Sequence, residues 1–474
     1  MRWTDILGLL ILIFVPAAHS QTPDVYTSGH IPLLTGKSVS VRANLSGNGF
    51  TIPSNFVGYS INTNSMIYGG YLKGSNVSLC NLAKLIGANG VLRVGGLDQD
   101  AATPPPLTQQ MANDLESFRS CLGSGWTLIY GLDGVANNSA TAATQAGYIA
   151  SASGSNATFQ FTNEPIDGSN FTVSSFQTMW NSYRTAVLAA VPGANLAAWD
   201  DGNFGYTQTA INGLTGGVSG LKYVTQHWYS GPCGTVQTPS YLISSIETSV
   251  QTNTFTQNYA WSASAGVLMR MTETNSICGG GALGSSDRLM ASTWYLNQAI
   301  ALASAGWSGI NTHNNFCQVA QTTCPVLDTT NPNTYGALLL SGDGNFYAGA
   351  VFNGLYLFSR IEGQQIIPVS ISGSSFNIMA IATKGANGNA NVIVVNDDVS
   401  QPATIFVDQS SAWSTANVLQ IKSGSGVGCT DASVTIGGAT IGESGSWTGS
   451  ATSLSNGRSI SLGPCESALI QIQP

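Results

Sequence analysis

The stretch GVLMRMTETNSICGGGA, from Gly266 to Ala282, decides how the rest of the chain reads. It begins as an apolar run of strand length and delivers a carboxylate, Glu273, where the hydrophobic pattern stops. Three glycines, Gly279 to Gly281, follow before the periodicity turns helical. Strand, carboxylate, glycine loop, helix is the order in which a barrel enzyme presents a catalytic group at a strand end. One acidic residue in such a place is equally ordinary turn chemistry. A second stretch repeats the order, however: ATFQFTNEP (157–165) is a strand that ends in Asn163-Glu164-Pro165. Whether the two glutamates meet depends on what surrounds them.

Working outward, strand and helix alternate across residues 48–345. Strands are expected at NFVGYSI (55–61), GVLRVGG (90–96), WTLIYGL (126–132), ATFQFTN (157–163), NLAAWDD (195–201), LKYVTQHWY (221–229), GVLMRMTE (266–273) and WSGINTH (307–313). Helical periodicity occupies 76–87, 108–122, 174–190 and 286–305 among the gaps. Eight such strands predict a (β/α)8 TIM barrel. An open doubly wound sheet is the competing arrangement and usually manages with fewer. From residue 346 helical periods fade, and short alternating runs appear at 377–383, 391–397, 403–409, 432–438 and 468–474. They predict a C-terminal antiparallel β-sandwich over 346–474. N-terminal strand material within 21–47 is expected to join it, since SVSVRANLS (38–46) also alternates.

Residues 1–20 read as a signal peptide, with Arg2, the apolar run Ile6 to Val15 and the small-residue exit Ala18-His19-Ser20. That run is short for a membrane anchor, and no later one is long and apolar enough to span a bilayer. A secreted, extracellular protein without a membrane partner is expected. Eight cysteines, all beyond the signal peptide, suit disulfides in an oxidising compartment. Spacing favours Cys317–Cys324 and Cys429–Cys465. No CxxC pair exists, and only His30, His227 and His313 follow the signal peptide, so neither a metal nor a cofactor is expected. Sequons at Asn44, Asn76, Asn137, Asn156 and Asn170 suit a glycosylated surface. Charged residues make up 8% of the chain and the formal net charge is −8, which disfavours nucleic acid and electrostatically held polyanions. A monomer is expected.

Glu164 would close barrel strand four and Glu273 barrel strand seven. Strand C-termini share one face of a barrel, so both carboxylates would enter one cleft. Of the seven glutamates in the chain, these two alone fall at barrel strand ends. Facing carboxylates are what glycoside hydrolysis requires, one to donate a proton and one as nucleophile or base. Pro165 would hold Glu164 in extended backbone, and Asn163 would reach a sugar hydroxyl. His227 and Tyr229, two apart, share a face. Tyr229 would hold an oxygen of Glu273, and Arg93 would keep that carboxylate ionised. Gly279, Gly281 and Gly284 match a GxGxxG fingerprint, but no strand-end acid follows at the distance a dinucleotide needs. A glycine loop also makes an anion-binding nest, suited to a sugar carboxylate.

Four motifs, LRVGG (92–96), NEP (163–165), HWY (227–229) and ETNSICGGGA (273–282), resemble in order those of glycoside hydrolase family 79, the heparanase-like enzymes that cleave β-linked glucuronic acid. The resemblance spans nearly all of the mature chain. It implies Glu164 as acid/base, Glu273 as nucleophile, and Gly279, Gly280 and Tyr335 as uronate-carboxylate contacts. The partner implied is a glucuronic-acid-containing carbohydrate. One departure is Cys278, where the family often carries a tyrosine. Few basic residues and no basic cluster favour a small exo-acting β-glucuronidase over an endo-acting heparanase. A catalytically silent carbohydrate-binding barrel is the alternative from another class.

Overall fold

All eight expected barrel strands form, and they close in chain order into a parallel barrel. The computed structural model describes residues 38–473, apart from 102, 104, 252–253, 318–333 and 374–376. The signal peptide and the expected Cys317–Cys324 pairing, which needs Cys324, lie outside those residues. Strand β1 (Ser38–Ala43) precedes the barrel. The barrel strands are β2 (Val57–Asn62), β3 (Asn89–Gly95), β4 (Gly125–Leu132) and β5 (Ala157–Phe161), then β6 (Asn195–Asp201), β7 (Tyr223–Gly231), β8 (Leu268–Ile277) and β9 (Ile310–Asn314). β9 pairs with β2 to close the ring.

Packing explains why the pattern was readable. Parallel barrel strands are covered on both faces, so β2, β5 and β9 are buried at every position. Arg270 plugs the end of the barrel away from the site, donating to Asn311 Oδ1 at 2.7 Å and to the carbonyls of Asn55, Phe56 and Ser308 at 3.0–3.1 Å. The opposite end, where strands run out into their longer loops, is open.

Two boundaries differ from the sequence reading. β8 continues past Glu273 to Ile277, so the glutamate sits within the strand rather than at its end. Its pairing register slips beside Glu273 on both neighbours, and such irregularities re-aim side chains. Helix also persists beyond residue 346: Ala350–Ser359 is the helix that follows β9. From Val351 to Ser359 every residue of it is buried. So short and apolar a run does not by its period distinguish helix from strand.

Two sheets make the C-terminal sandwich. In one, β1 lies between strands 369–373 and 403–409, antiparallel to the first and parallel to the second, and 459–462 completes it. The other sheet holds 365–367, 378–384, 390–396, 467–472, 415–423 and 434–436, with 452–455 off its path. Val392 and Val394 enter the sandwich core, while the alternate residues Ile393 and Val395 join the barrel core. Helix Leu289–Ala305, buried almost throughout, links the two layers. From it Asn297 Nδ2 donates to Asp397 Oδ1 at 2.7 Å, and Thr293 Oγ1 donates to the Cys465 carbonyl at 2.5 Å. Cys465 is bonded to Cys429, as the spacing predicted.

Candidate active site

The end of β5 turns sharply into the cleft. Thr162 and Glu164 have φ of 68° and 45°, in the left-handed region. Glu164 is therefore not extended, contrary to the preference expected before Pro165. Tertiary bonds override it: Glu164 N donates to the Asp200 carbonyl at 2.8 Å, and Asn163 N to Asp100 Oδ2 at 2.7 Å. Further along the turn, Ile166 N and Asp167 N both donate to Asp201 Oδ2, at 2.7 and 3.1 Å. The Glu164 side chain remains 25% exposed, whereas that of Glu273 is 7% exposed.

Glu273 is held from several sides. Tyr229 donates its hydroxyl to Oε1 at 2.8 Å, and Arg93 Nη1 donates to Oε2. His313 Nδ1 lies 3.5 Å from Oε2. Burial alone would raise this carboxyl. His313, His227 and Arg93, with the Tyr229 hydrogen bond, outweigh it and hold the group well below the usual carboxylate range. Burial, together with the charges of Arg93 and His227, pushes His313 itself down to about 4. At neutral pH His313 is uncharged, so the depression of Glu273 rests on Arg93, His227 and Tyr229.

His227 behaves oppositely. Burial disfavours its charge, but Asp200 and Glu273 together with the bond to Glu164 push it up to about 10. Its Nδ1 lies 2.9 Å from Glu164 Oε1 in hydrogen-bond geometry. Its Nε2 lies 2.9 Å from Asp200 Oδ1, an ion-pair distance without hydrogen-bond alignment. One atom each of Glu164, His227 and Glu273 fall within 4.8 Å of one another, a spacing that a metal ion also favours. The same spacing lets a proton pass between the imidazole and the Glu164 carboxyl, which lie 2.9 Å apart.

The cleft has a volume of about 960 Å³, and Glu164, Glu273, His227, Tyr229, Gly279, Gly280 and Tyr335 all line it. Arg93 and Asn163 lie beneath its floor instead. Arg93 is fully buried and donates to Ser60, Glu273, Asn163 and Asp200. It reaches a bound molecule only through Glu273. Asn163 accepts from Arg93 at 2.8 Å, while its Nδ2 is buried without a partner among the described residues.

Gly279, Gly280 and Gly281 have φ of 67°, 92° and 91°, conformations that side chains rarely adopt. Among the described residues, the N–H groups of Gly279 and Gly280 have no protein acceptor. Thr334 N donates to the Gly280 carbonyl at 2.9 Å, which brings Tyr335 beside the loop. The Tyr335 ring lies nearly parallel to that of Tyr229, with centroids 6.3 Å apart. Cys278 is bonded to Cys233, so the position that departs from the family pattern anchors the loop to the segment after β7.

Sequence reading missed Asp200, Asp98, Asn62, His313 and Asp167. Asp98 accepts from Asn62 Nδ2 and from the N–H groups of Thr63 and Asn64 at 2.6–2.9 Å, and burial pushes it up to about 6. The signal for Asp200 and His313 was their place at barrel strand ends, in WDD and THNN.

No protein-family model matches the chain, and no curated protein matches it. Solved structures do. A 4-O-α-L-rhamnosyl-β-D-glucuronidase from Fusarium oxysporum 12S, solved with Rha-GlcA, is similar with a TM-score of 0.71 and 18% identity, over 91% of this chain and 100% of that one. The GH51 arabinofuranosidase from Xanthomonas axonopodis pv. citri is similar with a TM-score of 0.63 and 12% identity, over 92% and 100%. An α-L-arabinofuranosidase from Thermotoga maritima, in complex with arabinose, gives 0.65 and 11%, over 92% and 100%. What they share with this chain is the fold.

Proposed function

We propose that the chain is a secreted, retaining exo-β-glucuronidase of the family 79 type. Its substrates are terminal β-linked glucuronic acid, or the 4-O-methyl ether, on glycans such as arabinogalactan or on glycosides. The observation that carries this reading is the pair of carboxylates within 4.8 Å, one buried and held ionised and the other partly exposed. Retaining enzymes place their two carboxyls about 5 Å apart. In the first step Glu273 attacks the anomeric carbon while Glu164 gives its proton to the departing oxygen, leaving a glycosyl ester on Glu273. In the second, Glu164 takes a proton from water, which displaces Glu273 and releases the β-anomer.

For the uronate, the N–H groups of Gly279 and Gly280 and the Tyr335 hydroxyl are the donors. Burial and then the charge of Glu273 keep the Tyr335 phenol protonated. Among the described residues the cleft lining contains no lysine or arginine, which supports exo action on a small substrate over an endo-acting enzyme for sulfated chains. The glucuronidase name of the Fusarium structure supports the substrate class. Three disulfides among the described residues suit an extracellular enzyme, and no helix among them is long and apolar enough to cross a membrane. The test is turnover of an aryl β-D-glucuronide beside the aryl glucoside, with proton NMR of the first sugar released. Glucuronide turnover giving the β-anomer is expected. Initial α-glucuronate would exclude the double displacement, and no turnover of either glycoside would leave the silent carbohydrate-binding barrel.

A further inference from the structure

We infer that Asp200 is a positioning residue that fixes the two glutamates relative to one another, an inference that rests on the glycosidase reading above. Asp200 is 1% exposed, and its carboxylate acts on each glutamate through one intermediary. Toward Glu273, Oδ2 accepts from Arg93 Nη2 at 2.6 Å, while Nη1 of the same guanidinium donates to Glu273. A planar guanidinium held along one edge has its other edge aimed. Toward Glu164, Oδ1 lies 2.9 Å from His227 Nε2, and Nδ1 of that ring lies 2.9 Å from Glu164 Oε1. The main chain of Asp200 takes part too, since its carbonyl accepts from Glu164 N at 2.8 Å.

The carboxylate is itself fixed from both catalytic strands. Thr272, next to Glu273, donates to Oδ1 at 2.6 Å, and Gln160 of β5 donates to Oδ2. The residue has φ of 65°, uncommon outside glycine. Burial would raise its carboxyl, but the charges of Arg93 and His227 hold it below the usual range. His227 in turn faces Asp200 from β6, Glu164 and Asp167 from the loop after β5, Glu273 from β8 and His313 from β9. Asp200 is the largest of the influences that favour its charge. A shape-preserving loss of the Asp200 charge therefore disturbs both glutamates at once.

The experiment compares Asp200→Asn and Thr272→Val with the wild-type chain, using pH–rate profiles on an aryl β-glucuronide and NMR titration of labelled histidine. Asp200→Asn is expected to lose about 100-fold in kcat with KM changed less than about threefold, the pattern of a small misplacement. The His227 titration and the alkaline limb of kcat should both move to lower pH. Thr272→Val keeps the charge and should lose roughly five- to tenfold in kcat without moving that limb. A folded Asp200→Asn variant with wild-type kcat and wild-type His227 titration overturns the inference. If that variant does not fold, wild-type kcat in Thr272→Val overturns it. Should the wild-type chain cleave no glycoside, the proposed function fails, and an unmoved His227 titration in Asp200→Asn then separately overturns the role of Asp200.

Discussion

In the proposed mechanism Glu273 and Glu164 face different demands, so they should fail differently. Glu273→Gln removes the nucleophile and should lower turnover of every glycoside by roughly 10⁴-fold or more. Glu164→Gln removes the proton donor, so glycosylation should suffer far less when the leaving group is a good one. Equal losses in that step across leaving groups of very different pKa would contradict the assignment. His227 gives a pH-dependent prediction. The unfolded imidazole sheds its proton near 6.5, whereas the native one keeps it to about 10. The native state thus binds more protons between these values, and stability falls as pH rises through them. Melting temperatures should decline from pH 6.5 to 10, and less steeply in His227→Gln. Both glutamates were legible because glutamate is scarce and these two end apolar runs. Asp200 was not, because an acidic pair after a strand looks like a turn and its role exists only once β3, β5, β7 and β8 surround it. Nor was the left-handed turn at Glu164, which long-range hydrogen bonds impose against the local preference.

Among elements, the proposed function assigns selectivity to the loop from Cys278 to Gly281. Gly280 has open space where a Cβ would stand but a φ of 92°, so a side chain there strains the backbone and crowds the cleft. Gly280→Val should reduce glucuronide turnover strongly, and Tyr335→Phe more mildly. Each hydrogen bond to the uronate is worth about 1.5–3 kcal/mol, so losing one should narrow the glucuronide-over-glucoside ratio by roughly tenfold or more. Unchanged ratios in both variants would mean that the carboxylate is read elsewhere. The Cys233–Cys278 bond should matter in the same assay: a double serine variant should lose selectivity before it loses its fold. Strands were the easiest elements to read, since burial on two faces writes continuous apolar runs. Helix Ala350–Ser359 was unreadable for another reason, as a short apolar run does not by its period distinguish helix from strand.

On the scale of the molecule, barrel and sandwich share a core through Ile393 and Val395, and helix Leu289–Ala305 touches both. They should unfold together, in one transition. Ile393→Ala should destabilise that transition by about 2–5 kcal/mol, whereas two separated transitions in denaturant would show the layers to be independent. The parallel pairing of β1 with 403–409 reaches further than stability. A ribosome makes β1 before the barrel, but both strands that flank it come only after the barrel is complete. At about 5–20 residues per second the wait is on the order of tens of seconds. Through that interval an apolar strand with no partner, carrying Val39 and Val41, must be kept from pairing with a neighbouring nascent chain. Yield in a heterologous host should therefore be governed by chaperone capacity during translation more than by the stability of the finished fold.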